Sequence, residues 1–460
     1  MSFTSLSFAL ILAPLLVCGP FLRGRTRRWV LLLASWAFYA WGTPWHLVLL
    51  LFSTALDYVV GRALHATPDD RGARRRGLLA LSLVGNLGIL GWFKYAPYAL
   101  ALVGLAEPPP ASEFHVEGSI PIGLSFYTFQ TLSYTIDVYR RKQDAIDSPL
   151  DFALFVAFFP QLVAGPVVRA SEFFPQLARP VVPDAARTWS AIELVAVGLF
   201  KKLVVADNLG LLVDQVMDEP TAWSAPALVL TGVMFTTQIY ADFSGYSTIA
   251  RGLGRLFGID LPRNFDFPML ARNPLEYRRG WHITMAAWFR DYVYFPMGGT
   301  RGGFLRSSFN LMVVWALFGL WHGAGWPFLA WGLLNGLLQV VYRPLSARFP
   351  WSPPVVVGTT LTLLYTSMSA LTFRAPGLDG LIAIYTRIFT LCMGGAWPPL
   401  SWVAGMLVLL GVHATCKRYY RDEDLLVRLP VPARIALLGL LTPILLFAST
   451  DARPFIYFQF

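Results

Sequence analysis

The chain has 460 residues, of which 55% are hydrophobic and only 14% charged, and its mean hydropathy is +0.53. Soluble globular domains carry about a quarter charged residues, which excludes that class. The net charge of +10 does not indicate nucleic acid: no RNA- or DNA-binding motif accompanies it, and basic residues in short loops set membrane orientation.

Apolar runs of bilayer-spanning length recur from the first residues onward. The N-terminal run, about 3–22, lacks a positive n-region and its charges follow it, the reverse of a cleavable signal peptide. It reads as a first membrane helix with its N-terminus outside. Cys18 follows Val17 rather than a small residue, which argues against a lipoprotein site. Further spans are expected near 28–42, 45–61, 78–97, 119–139 and 150–168. Loop charge alternates between them. Arg23, Arg25, Arg27 and Arg28, then Arg62, Arg71, Arg74, Arg75 and Arg76, then Arg140, Arg141 and Lys142 fall in every second loop. The positive-inside rule places these in the cytoplasm and the Pro-rich 107–119 loop outside. Later spans are expected near 190–206, 226–250, 308–321, 324–342, 355–373, 400–413 and 431–449. The total is roughly eleven to thirteen by length. No internal repeat is visible, which weighs against many transporter folds. Cys18, Cys392 and Cys416 form no CxxC pair, so neither a disulfide nor a zinc thiolate site is expected.

Residues 236–247, "TTQIYADFSGYS", place Gln238, Tyr240, Asp242, Ser244 and Tyr246 where alternate turns of a helix can face one cavity. Asp242 is costly in a membrane unless paired. Arg251, Arg255 or a histidine could pair it, in a structural or a catalytic role. Residues 251–290 then hold seven arginines against three acids, with glycines and prolines that break a long helix and interleaved Trp281 and Trp288. One reading is a cytoplasmic loop with positive-inside arginines. The other is a re-entrant region lining a polar cavity, with an anionic ligand such as coenzyme A at its mouth, since guanidinium forks suit phosphates. Arg272, Arg278, Arg279 and Arg290 are the candidates for those phosphates.

Of six histidines, His46, His65 and His115 sit in or beside predicted loops, and His413 sits near a helix end. His282, in "GWHIT", and His322, in "GLWHGAGW" beside Trp321, differ. An ionisable residue inside a span is a functional candidate by default; the alternative is a packed histidine bonded to a neighbouring carbonyl. Small residues around His322 allow close helix approach or room for a ligand. A neutral imidazole can take a proton from a hydroxyl attacking a carbonyl. There is no GxSxG elbow and no HExxH metal motif. A histidine acting alone or in a pair therefore favours direct acyl transfer between two bound substrates. A non-enzymatic transporter or export scaffold would account for the hydrophobicity, but not for polar elements concentrated at 236–336 without repeat symmetry.

Several blocks carry a resemblance. They are "IPIGLSFYTFQTLSYTIDVYRRK" (120–142), "FALFVAFFPQLVAGPVVR" (152–169), "GLFKKLVVADNL" (198–209) and "QIYADFSGYSTIARGLGRLFGIDLPRNFDFP" (238–268). With them go "WHITMAAWFRDYVYFPMGGTR" (281–301), "GLWHGAGWPFLAWGLLNG" (319–336) and "PFIYFQF" (454–460). In these the chain resembles the membrane-bound O-acyltransferase family, in the bacterial branch that includes alginate O-acetylases. The resemblance implies an all-α polytopic fold around a transmembrane tunnel. It implies one membrane domain over 1–460, with peripheral helices at 1–118, a catalytic core at 119–345 and C-terminal helices at 346–460. His322 would be the catalytic histidine and His282 its second polar partner. Gln238, Tyr240, Asp242, Ser244, Trp281, Trp288 and Trp321 would bind substrate. Acetyl-CoA would be the acyl donor from the cytoplasm, with no tightly bound cofactor and no metal. An exported, alginate-like or other cell-surface polysaccharide would be the acceptor, reached directly or through an SGNH-type partner outside a bacterial inner membrane. A D-alanyl transferase using a carrier-protein donor is the rival within the class. The chain departs from the family's usual pattern at Glu276–Gly280 (EYRRG), at Ala286-Ala287 and at Thr248. These departures flank the site and bear on acceptor or partner identity.

Overall fold

The computed structural model describes residues 3, 5–19, 22–105, 121–179, 184–349, 353–375, 377–419, 428–448, 453, 455 and 456. The expected outer loop at 107–119, with His115, lies outside them, as does most of the 454–460 motif. Every regular element described is helical, apart from one isolated bridge between Trp223 and Ala396. Six helices are long and apolar enough to cross a membrane: His46–Ala66, Gly72–Ala101, Gly303–His322, Val355–Arg374, Leu400–Tyr419 and Val431–Ala448. The chain is an all-helical, multi-pass membrane protein.

The other expected spans are short, interrupted or polar. The 150–168 run splits into Pro149–Ala157 and Phe159–Leu162, with Pro160 in the first turn of the second piece, where it forfeits no helical hydrogen bond. The 190–206 run leaves the α-helix Ala185–Leu199 for a π-helical turn, Phe200–Ala206, that carries Lys201 and Lys202. The 226–250 run is the middle of a 32-residue helix, Ala225–Leu256, that includes Asp242, Arg251 and Arg255.

The chain forms two compact units. One comprises the described residues up to Gly198, within its bounds, together with Tyr246–Arg263. Its core is phenylalanine-rich: Phe38, Phe152, Phe155, Phe158, Phe159 and Phe173 are buried almost completely. Gly61 of the His46–Ala66 helix faces the Tyr134 ring, which a Cβ would approach to 2.7 Å, so the small residue sets the helix spacing. Between these helices lies Asp57, with no exposure. It accepts hydrogen bonds from Ser82 Oγ, from Thr135 Oγ1 at 2.8 Å and from Asn86 Nδ2 at 2.8 Å. Arg75 closes the end of the His46–Ala66 helix by donating to the carbonyls of Leu64 (2.8 Å) and Thr67 (3.0 Å), as a cation at a helix C-terminus should.

The second unit comprises Leu199–Gly245 and the described residues from Asn264 onward. Its apolar core joins Val213, Val216, Leu228, Met234, Phe235, Leu371 and Ile384. All residues of the site described next belong to it.

Candidate active site

The helices Gly303–His322 and Trp326–Arg348 form a tight hairpin. A Cβ on Gly319 would collide with the Phe328 carbonyl oxygen, and one on Gly332 with the Trp315 carbonyl oxygen. The small residues thus let two backbones touch, and that contact fixes His322 at the last turn of the first helix. Four rings enclose its imidazole: Trp321 at 4.7 Å, Trp331 at 5.1 Å, Phe318 at 5.2 Å and Phe373 at 5.3 Å between centroids.

The Arg-rich segment is a folded wall rather than a loop. Asn264 is its staple. Its carbonyl accepts from Ile283 N at 2.9 Å, and its side-chain oxygen accepts from Thr284 N (3.2 Å) and Thr284 Oγ1 (3.0 Å). Asn273 caps the helix Pro274–Gly280 by accepting from Leu275 N and Glu276 N, while Glu276 accepts from Arg272 N at 2.9 Å, a reciprocal cap of the capping-box kind. Phe267 and His282 both adopt left-handed backbone, at φ 44° and 45°, a conformation costing about 1–3 kcal/mol for residues other than glycine. His282 there starts the short helix Ile283–Phe289 and is wholly buried. Its ring packs on Phe243 at 4.6 Å and Trp321 at 5.5 Å. Trp321 therefore touches both imidazoles.

A cavity lies against His322. Around His322 its wall is aromatic: Trp281, Phe289, Phe318, Trp331 and Phe373. Farther along it is polar: Asn335, Gln339, Tyr365, Ser369 and Arg278. Asn335 Nδ2 donates to Ser369 Oγ and to the Trp331 carbonyl, each at 2.9 Å. Gln339 Nε2 donates to the Pro274 carbonyl at 3.3 Å, while its Oε1 is buried and receives no hydrogen bond. Burial lowers the Arg278 guanidinium to about 10, helped by the neighbouring charges of Arg343, Arg290 and Arg279, so it remains protonated at neutral pH.

Of the residues singled out in the sequence, His322, Trp281 and Arg278 line this cavity. His282 and Trp321 stand behind its wall. Trp288 packs on Tyr292 at 5.1 Å and Phe289 at 5.4 Å. Arg272 and Arg279 are exposed, and Arg290 pairs with Asp291 at 2.7 Å. Tyr240 packs on His413 (5.1 Å), Phe265 (5.7 Å) and Trp281 (6.3 Å). Asp242 and Ser244 are buried, and Gln238 is half-buried beside Gly210. The expected partners of Asp242 are corrected: it pairs with Lys202 at 2.8 Å and accepts from Ile456 N at 2.6 Å. Arg251 and Arg255 lie nine and thirteen residues along the same helix, about 13–20 Å away. Arg255 instead pairs with Asp260 at 3.1 Å.

Lys202 also bonds Asp207 at 2.7 Å. Asp207 accepts from Arg453 N at 3.2 Å, and Asp214 joins the Arg453 and Arg374 guanidinium groups, the latter at 2.8 Å. This ion network, His413 and Gln339 were not singled out by sequence. The π-helical turn that aims Lys202 has no sequence signature. The four-residue spacing of Trp331, Asn335 and Gln339 is a legible signal of one helix face.

Comparison with known proteins identifies the family. The model of the membrane-bound O-acyltransferase family matches residues 76–362. The chain is 34% identical over 383 residues to the peptidoglycan O-acetyltransferase of Helicobacter pylori, covering 77% of this chain and 72% of that protein. It is 34% identical over 407 residues to the Pseudomonas aeruginosa protein named "Probable alginate O-acetylase AlgI", covering 86% and 76%. A Bacillus subtilis teichoic acid D-alanyltransferase is 24% identical over 284 residues, covering 57% and 69%. A family match over most of the chain, joined to a histidine held at a cavity wall in a multi-pass helical fold, identifies an acyltransferase that belongs to the membrane-bound O-acyltransferase family.

Proposed function

We propose that the protein is an O-acetyltransferase that takes acetyl from cytoplasmic acetyl-CoA and passes it through the membrane to a hydroxyl of an exported polysaccharide. The acetyl group reaches the glycan directly or through an SGNH-type partner. In this reading the chain sits in a bacterial cytoplasmic membrane with its N-terminus outside, and no tightly bound cofactor takes part. The observation that carries the reading is His322 at the wall of a cavity that also presents Arg278. The names of the two 34%-identical relatives support acetyl as the group and a cell-envelope glycan as the acceptor class.

The chemistry follows from a neutral imidazole beside a thioester. The acceptor oxygen attacks the carbonyl carbon, and its proton passes to His322. The C–S bond then breaks, and the proton leaves with the thiolate as free thiol. Such general-base assistance is worth roughly 10²–10⁴-fold. The aromatic enclosure excludes water, which would otherwise compete as acceptor. His282 is assigned to orienting Trp321 and, through it, His322. A direct role for His282 on the thioester carbonyl or its oxyanion would require contact with the bound thioester.

Proteoliposomes test the donor. Radiolabelled acetyl-CoA is supplied on the cytoplasmic face, and acetyl lost from CoA is followed with an acceptor glycan and the partner present. Turnover from free acetyl-CoA is expected. Turnover only from an acyl carrier protein would replace the acetyl-CoA reading with the D-alanyl-type one.

A further inference from the structure

The helix that ends at His322 rises from a glycine-rich turn, residues 295–302, which follows the π-helical turn Arg290–Tyr294. Turn and helix are one piece. Asn310, buried within the helix, donates through Nδ2 to the carbonyls of Gly299 (3.1 Å) and Met297 (3.2 Å). Tyr294 Oη and Ser307 Oγ meet at 3.1 Å. Gly302 has φ 93°, and a Cβ there would stand 2.8 Å from Arg306 Cδ. Glycine therefore lets the Arg306 side chain fold back over the turn, where its Nε lies 3.8 Å from the place a Gly298 Cβ would take.

The outer surface of this foot joins two chemistries. Arg301 and Arg306 are exposed, and neither forms an ion pair among the described residues. The neighbouring sequence offers them no countercharge. No Asp or Glu occurs between Asp291 and Asp379, and Asp291 is held by Arg290 at 2.7 Å. Beside the arginines stand Phe304 (57% exposed), Leu305 (82%) and Phe309 (64%). Leu305 and Phe309, four residues apart, share a helix face. The positive-inside rule assigns this end to the cytoplasm, where the leaflet carries the anionic lipids. Guanidinium forks match phosphate oxygens, and exposed apolar side chains are buried at the acyl boundary. A soluble anion would satisfy the arginines and leave the apolar side chains in water. A zwitterionic lipid brings its own cation to its phosphate. An anionic phospholipid answers both halves of the surface.

We propose that Arg301, Arg306, Phe304, Leu305 and Phe309 form a site for an anionic phospholipid of the cytoplasmic leaflet, with the guanidinium groups on its phosphate and the apolar side chains against its acyl chains. The site goes beyond the donor and acceptor proposed above and depends on neither. It lies at the foot of the helix whose far end, about 28 Å away at 1.5 Å per residue, carries His322.

The test uses the full-length protein in nanodiscs doped with phosphatidylglycerol or phosphatidylcholine analogues that carry a diazirine near the head group. After irradiation, crosslinked peptides are mapped by mass spectrometry, and the ratio of the two analogues is read at residues 295–309 and at the exposed basic segment 71–76. The phosphatidylglycerol preference is expected to be higher at 295–309 than at 71–76. Arg301→Gln and Arg306→Gln should each cut it about fivefold at 295–309, the effect of one basic residue beside an anionic surface, and leave the ratio at 71–76 unchanged. That second ratio separates a lost site from a folding defect. Equal preference at the two segments would make the effect general surface charge and overturn the site. So would arginine variants that keep the wild-type ratio. Loss of the crosslink to glycerol phosphate, added at constant ionic strength, would assign the arginines to a soluble anion and also overturn it.

Discussion

Buried polar groups in this molecule come in two kinds, those closed in networks away from the cavity and those at its wall. Asp57 in the first unit is saturated, with Ser82, Thr135 and Asn86 donating to its two oxygens. Lys202 in the second is equally committed, bridging Asp207 and Asp242 at 2.7 and 2.8 Å. Neither Asp57 nor Lys202 lines the cavity. The groups along the cavity are arranged differently: an amide with one buried oxygen unmet, and a guanidinium among like charges. Closed networks fix backbones. Open ones leave hydrogen-bonding capacity that a ligand can complete.

Substitutions can break or sharpen this contrast. The largest effect is expected at His322, where His322→Ala should lower acetyl transfer by roughly 10²–10⁴-fold while the melting temperature in detergent stays within a few degrees. A comparable fall in melting temperature would make the histidine structural. Lys202→Met should do the reverse. It leaves Asp207 and Asp242 without their shared cation, and breaking one side of a buried pair costs about 3–5 kcal/mol. Thermal unfolding should show the loss, and a variant as stable as wild type would show that the network bears little of the fold. Asp57→Asn removes the charge these donors solvate and turns one accepting oxygen into an N–H facing either the Asn86 amide donor or the two hydroxyls, which should cost about 1–3 kcal/mol, with per-molecule activity retained. A selective loss of turnover in folded Asp57→Asn would put that network among the functional groups. Arg75→Ala removes a buried guanidinium and leaves the Leu64, Thr67 and Tyr139 carbonyls without their donor, which should cost about 1–3 kcal/mol; thermal unfolding should show the loss with per-molecule activity retained.

Much of this was legible in the residues because it is written locally. Apolar runs of about twenty residues announce membrane helices, and His322 among tryptophan and glycine marks a polar group that a span must justify. The Gly319 and Gly332 contact follows the same logic of small residues at close helix crossings. What the sequence hid is nonlocal. Asp242 finds Lys202 through a π-helical turn and Ile456 from the far end of the chain, where local spacing suggested arginines on its own helix. The polar face of 236–247 was legible as a face, but its direction was not. Thr236 and Ile239 reach the cavity, while Asp242 serves the ion network. His413, near a helix end in sequence, packs on Tyr240 and Phe267, a contact that no short-range pattern encodes.

The most direct test uses inside-out vesicles from cells expressing the wild type or His322→Ala at matched levels, with radiolabelled acetyl-CoA outside. The quantity read is the initial rate of acetyl loss from CoA into the acceptor fraction. The account predicts a fall of at least about 10²-fold in the variant. A variant rate within about threefold of wild type, too small for lost general-base assistance, would contradict it.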